Sequence, residues 1–178
     1  MNPEIVILYI EKNIKMKIII TFMVSMILLT ACFDDKLTIK RVDYTGYELR
    51  TDGYYFINFR ETSAVMFLYK NGVSLTCGGY MSNIFDEIEK EIIKQNFETK
   101  IHWGVFNING DTIHNERWIE STGFWACLYR KKGYIVNDST IHFTEDFLSE
   151  TNKTSVIDQV WHFRQFDNKP DSTNKYIK

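Results

Sequence analysis

The sequence is poor in cysteine and proline and has no excess of basic residues. Its 178 residues include three cysteines, two prolines, 21 basic and 23 acidic side chains. Because a nucleic-acid surface requires a basic patch, this charge balance argues against nucleic acid as a partner. The cysteines include no C-x-x-C pair, so their spacing predicts no metal site.

Sequence motifs for catalysis are missing as well. The chain contains no G-x-S-x-G, no H-E-x-x-H, no phosphate-binding loop and no dinucleotide fingerprint. His114 and Glu116 share one strand face, but any alternating strand produces that spacing, so no metal ligands and no cofactor are predicted. We expect a non-enzymatic protein, with a hydrolase whose site is distributed over several strands as a further alternative.

One apolar run lies near the start of the chain. Lys17 is followed by 14 uncharged residues, 18–31, and then by Cys32. This run is short for a membrane span of about 20 residues, whereas a basic residue before a short apolar stretch is typical of a signal peptide. We therefore expect a signal helix within residues 1–31. Because residues 2–15 carry mixed charges, Met16 makes a better start than Met1; the alternative is a signal peptide that begins at Met1 and has a long N-terminal region before the apolar run.

The end of this run resembles the lipobox of bacterial lipoproteins. Leu29-Thr30-Ala31-Cys32 matches its pattern of a branched apolar residue, a small or hydroxylated residue, a small residue and cysteine. The resemblance implies that Cys32 carries lipid, that residues 32–36 form a lipidated tether, and that the protein is an outer-membrane lipoprotein of the cell envelope. Asp34-Asp35 resembles a surface-export signal, with a solvated tether as the alternative. An uncleaved helix is the alternative to lipidation.

Residues 37–168 have the pattern of one β-rich domain, followed by a polar tail at 169–178. Asn71-Gly72 predicts a hairpin with a type I′ turn, Asn109-Gly110 predicts a second hairpin, and Lys131-Lys132-Gly133 predicts a turn. Residues 83–97 repeat apolar side chains at intervals of three and four, which predicts an amphipathic helix packed on the sheet. The segments rich in β-branched and aromatic residues are 37–42, 54–59, 63–69, 73–77, 101–108, 112–119, 124–130, 134–136, 140–144 and 155–166.

Eight to ten short strands joined by hairpins predict an antiparallel meander that forms a barrel or a sandwich. This architecture resembles the lipocalin-like, or calycin, barrels, which open with Gly-x-Trp and place an arginine of the last strand over that tryptophan. Gly53-Tyr54-Tyr55 and Arg164 correspond to these residues, with tyrosine in place of tryptophan. The resemblance implies that Tyr55 lies inside one barrel end beneath Arg164. The helix departs from the family pattern, because lipocalins carry their main helix after the last strand.

Cysteines and turn residues suggest two covalent modifications. Cys77 and Cys127 lie in apolar segments, where they form a disulfide or pack as free thiols. Three Asp-Ser or Asp-Thr pairs resemble an O-glycosylation sequence of exported bacterial proteins, with Thr112, Ser139 and Ser172 as acceptors. Turn formation is the alternative explanation, because these residues favour turns.

The aromatic strand residues leave two possibilities for the barrel interior, which either encloses an apolar cavity or is packed solid. The residues in question are Tyr54, Tyr55, Phe56, Trp103, Trp118, Trp125, Trp161 and Phe163. A packed interior favours a lipid-anchored envelope protein that binds another envelope protein or a glycan through its surface. A cavity favours the alternative, a carrier of a small apolar ligand.

Overall fold

The computed structural model describes residues 16–17, 36–82, 84–121 and 126–178 of the protein. The lipobox, Cys32 and nearly all of the predicted signal helix lie outside the described residues. Residues 36–178 belong to one compact unit. In its described part, the elements are β1 (Gly53–Phe59), β2 (Thr62–Leu68), β3 (Val73–Tyr80), α1 (Phe85–Lys94), a 3-10 turn (Lys100–His102), β4 (Trp103–Asn109), β5 (Thr112–Glu120), β6 (Ala126–Asn137), β7 (Thr140–Leu148) and β8 (Lys153–Gln165).

Each strand pairs in antiparallel fashion with the next strand in sequence, and β8 pairs back with β1. The sheet therefore closes into a barrel, in which every strand has two hydrogen-bonded neighbours and no edge is left open. The predicted antiparallel meander barrel with one helix is confirmed.

Both Asn-Gly hairpins are tight, but the predicted type I′ turn is wrong. That type needs positive φ at both central residues, whereas in these turns only Gly72 (φ 76°) and Gly110 (φ 63°) have positive φ. Between β2 and β3, the Gly72 N–H donates to the Tyr69 carbonyl, and the Tyr69 N–H donates to the Val73 carbonyl. This is a type I turn that ends in a left-handed glycine. Gly110 opens a two-residue loop, as in a type II′ turn.

Alternation along the strands separates an inner barrel face from an outer face. Tyr55 on β1 is the register partner of Met66 on β2, and both belong to the apolar cluster that fills one end of the barrel. Tyr54, the neighbour of Tyr55, instead packs in the layer outside the barrel. The buried members of the inner cluster are Leu49, Tyr55, Met66, Leu68, Phe106, Ile113, Ile141, Phe143 and Trp161.

Residues 36–50, here called the strap, cover the filled end of the barrel. The Tyr44 N–H donates to the Lys70 carbonyl at 2.6 Å, and the Tyr44 ring meets the Phe106 ring edge-on at 5.7 Å between centroids. Leu49 is buried in the inner cluster. The strap therefore closes this end, which we call the closed end.

The start of the strap forms no strand, so the prediction of a strand at 37–42 is wrong. The backbone N–H groups of Thr38 and Ile39 donate to the Glu116 carboxylate instead of to a neighbouring strand. Their side-chain alternation places Leu37 and Ile39 against the outer core. The apolar alternation of residues 37–42 therefore arises because Leu37 and Ile39 pack on the outer surface of the barrel, and not because these residues pair with a strand.

The α1 helix covers part of the outer face and lies within the predicted range 83–97. Its buried residues Ile88 and Ile92 pack with Tyr54 and Phe67 of β1 and β2. Acidic residues occupy its first turn, where they interact favourably with the helix dipole. This outer layer explains why several strands carry apolar residues on both faces.

The β6 strand runs through the residues predicted as a turn, Lys131-Lys132-Gly133. A side chain at Gly133 would place its Cβ 2.1 Å from the His142 carbonyl oxygen on β7. The glycine is therefore required by the close approach of two backbones, and the strand pairing shifts by one residue at this point. The turn prediction is wrong because this glycine serves strand packing.

Tyr55 lies inside the closed end, as expected, but the predicted contact with Arg164 is wrong. The register partner of Tyr55 is Phe163, whereas Arg164 is the partner of Tyr54 and lies on the outer face. There the Arg164 guanidinium lies 4.4 Å from the centroid of the Phe85 ring on α1. A different cation lies over Phe163, the register partner of Tyr55, because the Arg50 guanidinium is 4.3 Å from the centroid of the Phe163 ring.

Cys77 and Cys127 are both buried and are not joined by a disulfide, so of the two alternatives that the sequence left open the structure has the packed thiols. Cys77 on β3 packs in the outer core. Cys127 on β6 is the register partner of Ile119 on β5. Two strands separate β3 from β6, and the two side chains occupy different layers. The polar tail at 169–178 also packs back on the barrel, because the Tyr69 hydroxyl donates to the Pro170 carbonyl at 2.8 Å.

Candidate ligand site inside the barrel

A cavity of about 480 Å³ occupies the barrel end opposite the strap. Six strands and the 3-10 turn contribute to its wall, so it belongs to the barrel interior and not to one loop. The lining residues are Phe59, Ala64, Thr76, Cys77, Gly78, Ile101, His102, Arg117, Ile119, Glu120, Tyr129, Lys131, Gln159 and Trp161. The inner apolar cluster forms the floor, since Trp161 belongs to both.

Two cationic side chains enter this cavity from adjacent strands. Arg117 lies two residues after Asn115 on β5, so the two side chains share one face of the strand. Asn115 is the register partner of Phe106 on β4 and of Lys131 on β6, and Phe106 belongs to the inner cluster. This face of β5 therefore points into the barrel. The Arg117 Cζ lies 5.7 Å and the Lys131 Nζ 5.6 Å from the centroid of the same Tyr129 ring. Burial lowers the pKa of the Arg117 guanidinium, but arginine still keeps its charge at neutral pH. The cavity therefore carries concentrated positive charge.

Lys131 has an unusual environment for a lysine ammonium. Its Nζ donates to Gln159 Oε1 at 2.7 Å and lies 4.5 Å from the centroid of the Trp161 ring. Burial, and then the charge of Arg117, lower the pKa of Lys131 to about 7 against the opposing effect of Asp146. The amine is therefore present in both charged and neutral forms near neutral pH.

Carboxylates lie near these cations, with Glu120 in the cavity lining and Asp146 on β7, but in the described part of the chain neither forms an ion pair with Arg117 or Lys131. Asp146 is the register partner of Lys131, but its Oδ2 accepts a hydrogen bond of 2.8 Å from the Tyr129 hydroxyl. Arg117 donates to the backbone carbonyl of Ile101 at 3.2 Å. In the described part of the chain, neither Arg117 nor Lys131 forms an ion pair within 4 Å. An anionic group entering the cavity therefore meets the Arg117 guanidinium and a partly protonated Lys131 amine, neither of which already forms an ion pair in the described chain.

Two buried polar atoms of the cavity wall lack hydrogen-bond partners among the described residues. They are Thr76 Oγ1 and Trp161 Nε1, and Trp161 is only 1% exposed. Buried polar atoms are almost always hydrogen-bonded in folded proteins, so an unpaired hydroxyl and an unpaired indole N–H in one cavity indicate capacity for a polar ligand. The hydroxyl can donate or accept, whereas the indole can only donate.

His102 adds a neutral polar group to the wall. Its Nδ1 lies 3.3 Å from the Thr76 carbonyl oxygen, which requires the Nδ1–H tautomer. Burial lowers the pKa of His102, which favours the neutral ring and leaves Nε2 as an acceptor. The remaining wall is apolar, with Phe59, Ile101 and Ile119 among its members. The site thus combines cationic and polar groups with apolar surface.

Two other cavities differ in chemistry. One of about 370 Å³ lies between the strap and the β4–β5 hairpin, with Glu48 and Asp43 in its lining. A larger groove of about 630 Å³ lies between the end of α1 and the C-terminal tail, where Lys175 is accompanied by Glu98 and Asp171. In each of these two linings the carboxylates outnumber the cations, whereas in the barrel cavity Arg117 and Lys131 outnumber Glu120, so the barrel cavity is the stronger candidate for an anionic ligand.

The three predicted O-glycosylation residues lie away from this cavity. Thr112, Ser139 and Ser172 all occur at the closed end or beside its turns, and Thr112 and Ser139 bond to the preceding aspartates. Ser172 Oγ accepts from Asn71 Nδ2 at 3.0 Å. Within the described residues, no group of three or more histidine, cysteine, aspartate or glutamate side chains is arranged to hold a metal ion.

The fold defines the class of this protein as a closed eight-stranded antiparallel meander barrel with one helix, which is consistent with a lipocalin-like fold. No protein-family model, curated protein or solved structure matches the chain. In the part of the chain that the structure describes, no helix has both the length and the apolar composition needed to cross a membrane.

Sequence reasoning identified Trp161 as a possible cavity residue but missed the polar members of the site. Arg117, Lys131 and Gln159 are not close in sequence, and each stands in a segment with mixed character on both faces. A usable signal was the face shared by Ile113, Asn115, Arg117 and Ile119 on β5. On a barrel strand, a charged residue between apolar residues of one face marks an interior polar site.

Proposed function

We propose that the protein is a lipid-anchored binding protein of the bacterial cell envelope whose barrel cavity takes a small anionic molecule with an apolar body. The observation that carries this proposal is the placement of Arg117 and Lys131 in one cavity without a carboxylate within ion-pair distance of either among the described residues. The lipobox at Leu29-Thr30-Ala31-Cys32 supports the anchored location.

The charge of the cavity favours an anion over the wholly apolar ligand that the sequence suggested. Burying a cation without a counter-charge is unfavourable, and a bound carboxylate or sulfonate would supply that charge. The unpaired Trp161 indole N–H is a further donor that an anionic oxygen can accept from. The apolar body of the ligand would contact Phe59, Ile101 and Ile119.

The cavity size limits the ligand to a small molecule. A volume of about 480 Å³ lies within the range of roughly 300–1,000 Å³ that is typical of small-molecule sites. This cavity favours a carrier over a protein that acts only through its outer surface, because a barrel packed solid at both ends would leave no such volume.

A matched pair of fluorescent probes tests the proposal. 1-Anilinonaphthalene-8-sulfonate carries a sulfonate, whereas N-phenyl-1-naphthylamine has the same rings without charge. We expect the wild-type protein to bind the sulfonate probe at least about tenfold more tightly, which corresponds to about 1.4 kcal/mol for one charged contact. In Arg117→Met this preference should shrink to less than about threefold.

Arg164→Met provides the control, because Arg164 lies on the outer face against Phe85. This variant should keep the preference of the wild-type protein. Equal affinity of the wild-type protein for the two probes, or loss of the preference in Arg164→Met to the same degree as in Arg117→Met, would contradict the proposal.

A further inference from the structure

Lys131 differs from its neighbour Lys132, because the Lys131 amine lies inside the barrel and forms no ion pair in the described chain. Lys132, the next residue, faces outward, and its Nζ lies 3.6 Å from Glu145 Oε1. Lys131 Nζ instead lies over the Trp161 ring and donates to a neutral amide oxygen of Gln159. This geometry leaves the nitrogen accessible to a molecule in the cavity.

The groups that face Lys131 come from every neighbouring strand. Arg117 approaches from β5 and Tyr129 from β6, while Asp146 lies opposite on β7, with its Oδ2 bonded to the Tyr129 hydroxyl. On β8, the facing groups are uncharged, and His102 contributes a neutral ring to the wall. Burial, and then the positive charge of Arg117, favour the neutral amine, which is the nucleophilic form, against the opposing effect of Asp146.

We propose that Lys131 is a covalent capture site, where its amine forms a reversible imine with an aldehyde or ketone that also carries an anionic group. The inference rests on the proposed function, because Arg117 would hold the anionic group while the carbonyl carbon meets Lys131 Nζ. It narrows the ligand class from small anions to anionic carbonyl compounds.

The reaction needs no oxidant, reductant or cofactor. The nitrogen lone pair forms a bond to the carbonyl carbon, and the carbonyl oxygen takes up a proton to give a carbinolamine. The carbon–oxygen bond then breaks, and the oxygen leaves as water that contains the two protons originally on the amine. A carbon–nitrogen double bond remains. Addition of water reverses these steps and releases the ligand.

Reductive trapping with 4-carboxybenzaldehyde tests the inference on the full-length protein. Cyanoborohydride at pH 7 converts an imine to a stable amine, and peptide mapping by mass spectrometry then locates the label. We expect Lys131 to be labelled at least about tenfold faster than Lys132, because Lys131 shares the cavity with Arg117, whereas the Lys132 amine faces outward and forms an ion pair with Glu145 at 3.6 Å. Lys131→Arg should lose the cavity label, whereas Lys132→Arg should retain it.

Benzaldehyde serves as the uncharged comparison. The rate at Lys131 should fall at least about fivefold when the carboxylate is absent from the probe, and this preference should disappear in Arg117→Met. Labelling of Lys131 that is no faster than labelling of Lys132 would overturn the inference. If the anionic naphthalene probe still binds preferentially in that case, only covalent capture is refuted. If that preference is also absent, the proposed function fails with it.

Discussion

Replacement of Glu116 by glutamine should release the strap from the barrel. Glu116 lies on the outer face of β5 and its side chain is fully buried. Its carboxylate accepts hydrogen bonds from the Thr38 N–H at 2.5 Å, the Thr38 hydroxyl at 2.8 Å and the Ile39 N–H at 2.8 Å. It also accepts from Arg130 Nε at 3.1 Å and from Arg130 Nη2 at 2.7 Å.

The geometry sets the size of the effect. Oε1 accepts from the Thr38 hydroxyl and from both Arg130 nitrogens, whereas Oε2 accepts from two backbone N–H groups. Whichever oxygen becomes the amide nitrogen of glutamine, at least two donors then face another donor. Since hydrogen bonds to charged groups contribute about 1.5–3 kcal/mol each, Glu116→Gln should lower the free energy of unfolding by about 3–5 kcal/mol, the range found when one partner of a buried pair is removed.

Urea denaturation followed by tryptophan fluorescence measures this change. Glu145→Gln is the matched control, because Glu145 forms an exposed ion pair of 3.6 Å with Lys132. Such pairs contribute little, so this variant should differ from wild type by less than about 0.5 kcal/mol. Limited proteolysis should in addition cut Glu116→Gln between residues 36 and 42 faster than it cuts the control.

Two results would refute this reasoning. One is a change in stability for Glu116→Gln as small as that for Glu145→Gln. The other is a double variant, Glu116→Gln with Arg130→Met, whose effect equals the sum of the single changes, because groups that share hydrogen bonds should couple by more than about 0.5 kcal/mol.

Three further predictions concern the backbone, the cavity and the anchor. Gly133→Ala should destabilise the protein by more than about 3 kcal/mol, because its Cβ would lie 2.1 Å from a backbone oxygen; Gly78→Ala, whose Cβ would meet its nearest neighbour at 3.4 Å, should cost less than about 1 kcal/mol. The pKa of Lys131 is about 7 in the folded protein and about 10.4 in the unfolded chain. Between these two values the unfolded chain binds more protons than the folded protein, so the free energy of unfolding rises as pH rises from 7 to 10. Urea titrations should show a smaller rise over this pH range for Lys131→Met; an identical rise would contradict the burial of this amine. Cys32→Ala should move the protein from the membrane fraction to the soluble fraction, and a variant that stays membrane-bound after an alkaline wash would contradict lipidation.

The sequence by itself determined the elements that depend on local pattern. The hairpins at Asn71-Gly72 and Asn109-Gly110 formed where predicted, because glycine is required by the positive φ in each loop. The amphipathic helix lies within 83–97, because apolar residues at intervals of three and four form one stripe that must be buried. Regular spacing of short strands was sufficient to predict an antiparallel meander that forms a barrel or a sandwich, and the resemblance to lipocalin-like proteins favoured the barrel.

Alternation identifies two faces of a strand but does not decide which face points inward. Here both faces are apolar in several strands, because α1, the strap and the C-terminal tail cover much of the outside. The orientation of Tyr55 and Arg164 was therefore decided by the register of β1 against β8, where a shift of one residue exchanges the faces. Local sequence contains no record of that register.

The candidate site was likewise decided by the tertiary structure. Arg117, Lys131, Gln159 and Trp161 come from three strands, and their side chains meet only because the sheet closes on itself. The lowered pKa of Lys131 also depends on that closure, since closure buries the amine and brings Arg117 close to it. The sequence determined which charged residues the chain contains, and closure of the barrel decided which of them share a cavity, because distances between strands depend on pairing and not on position along the chain.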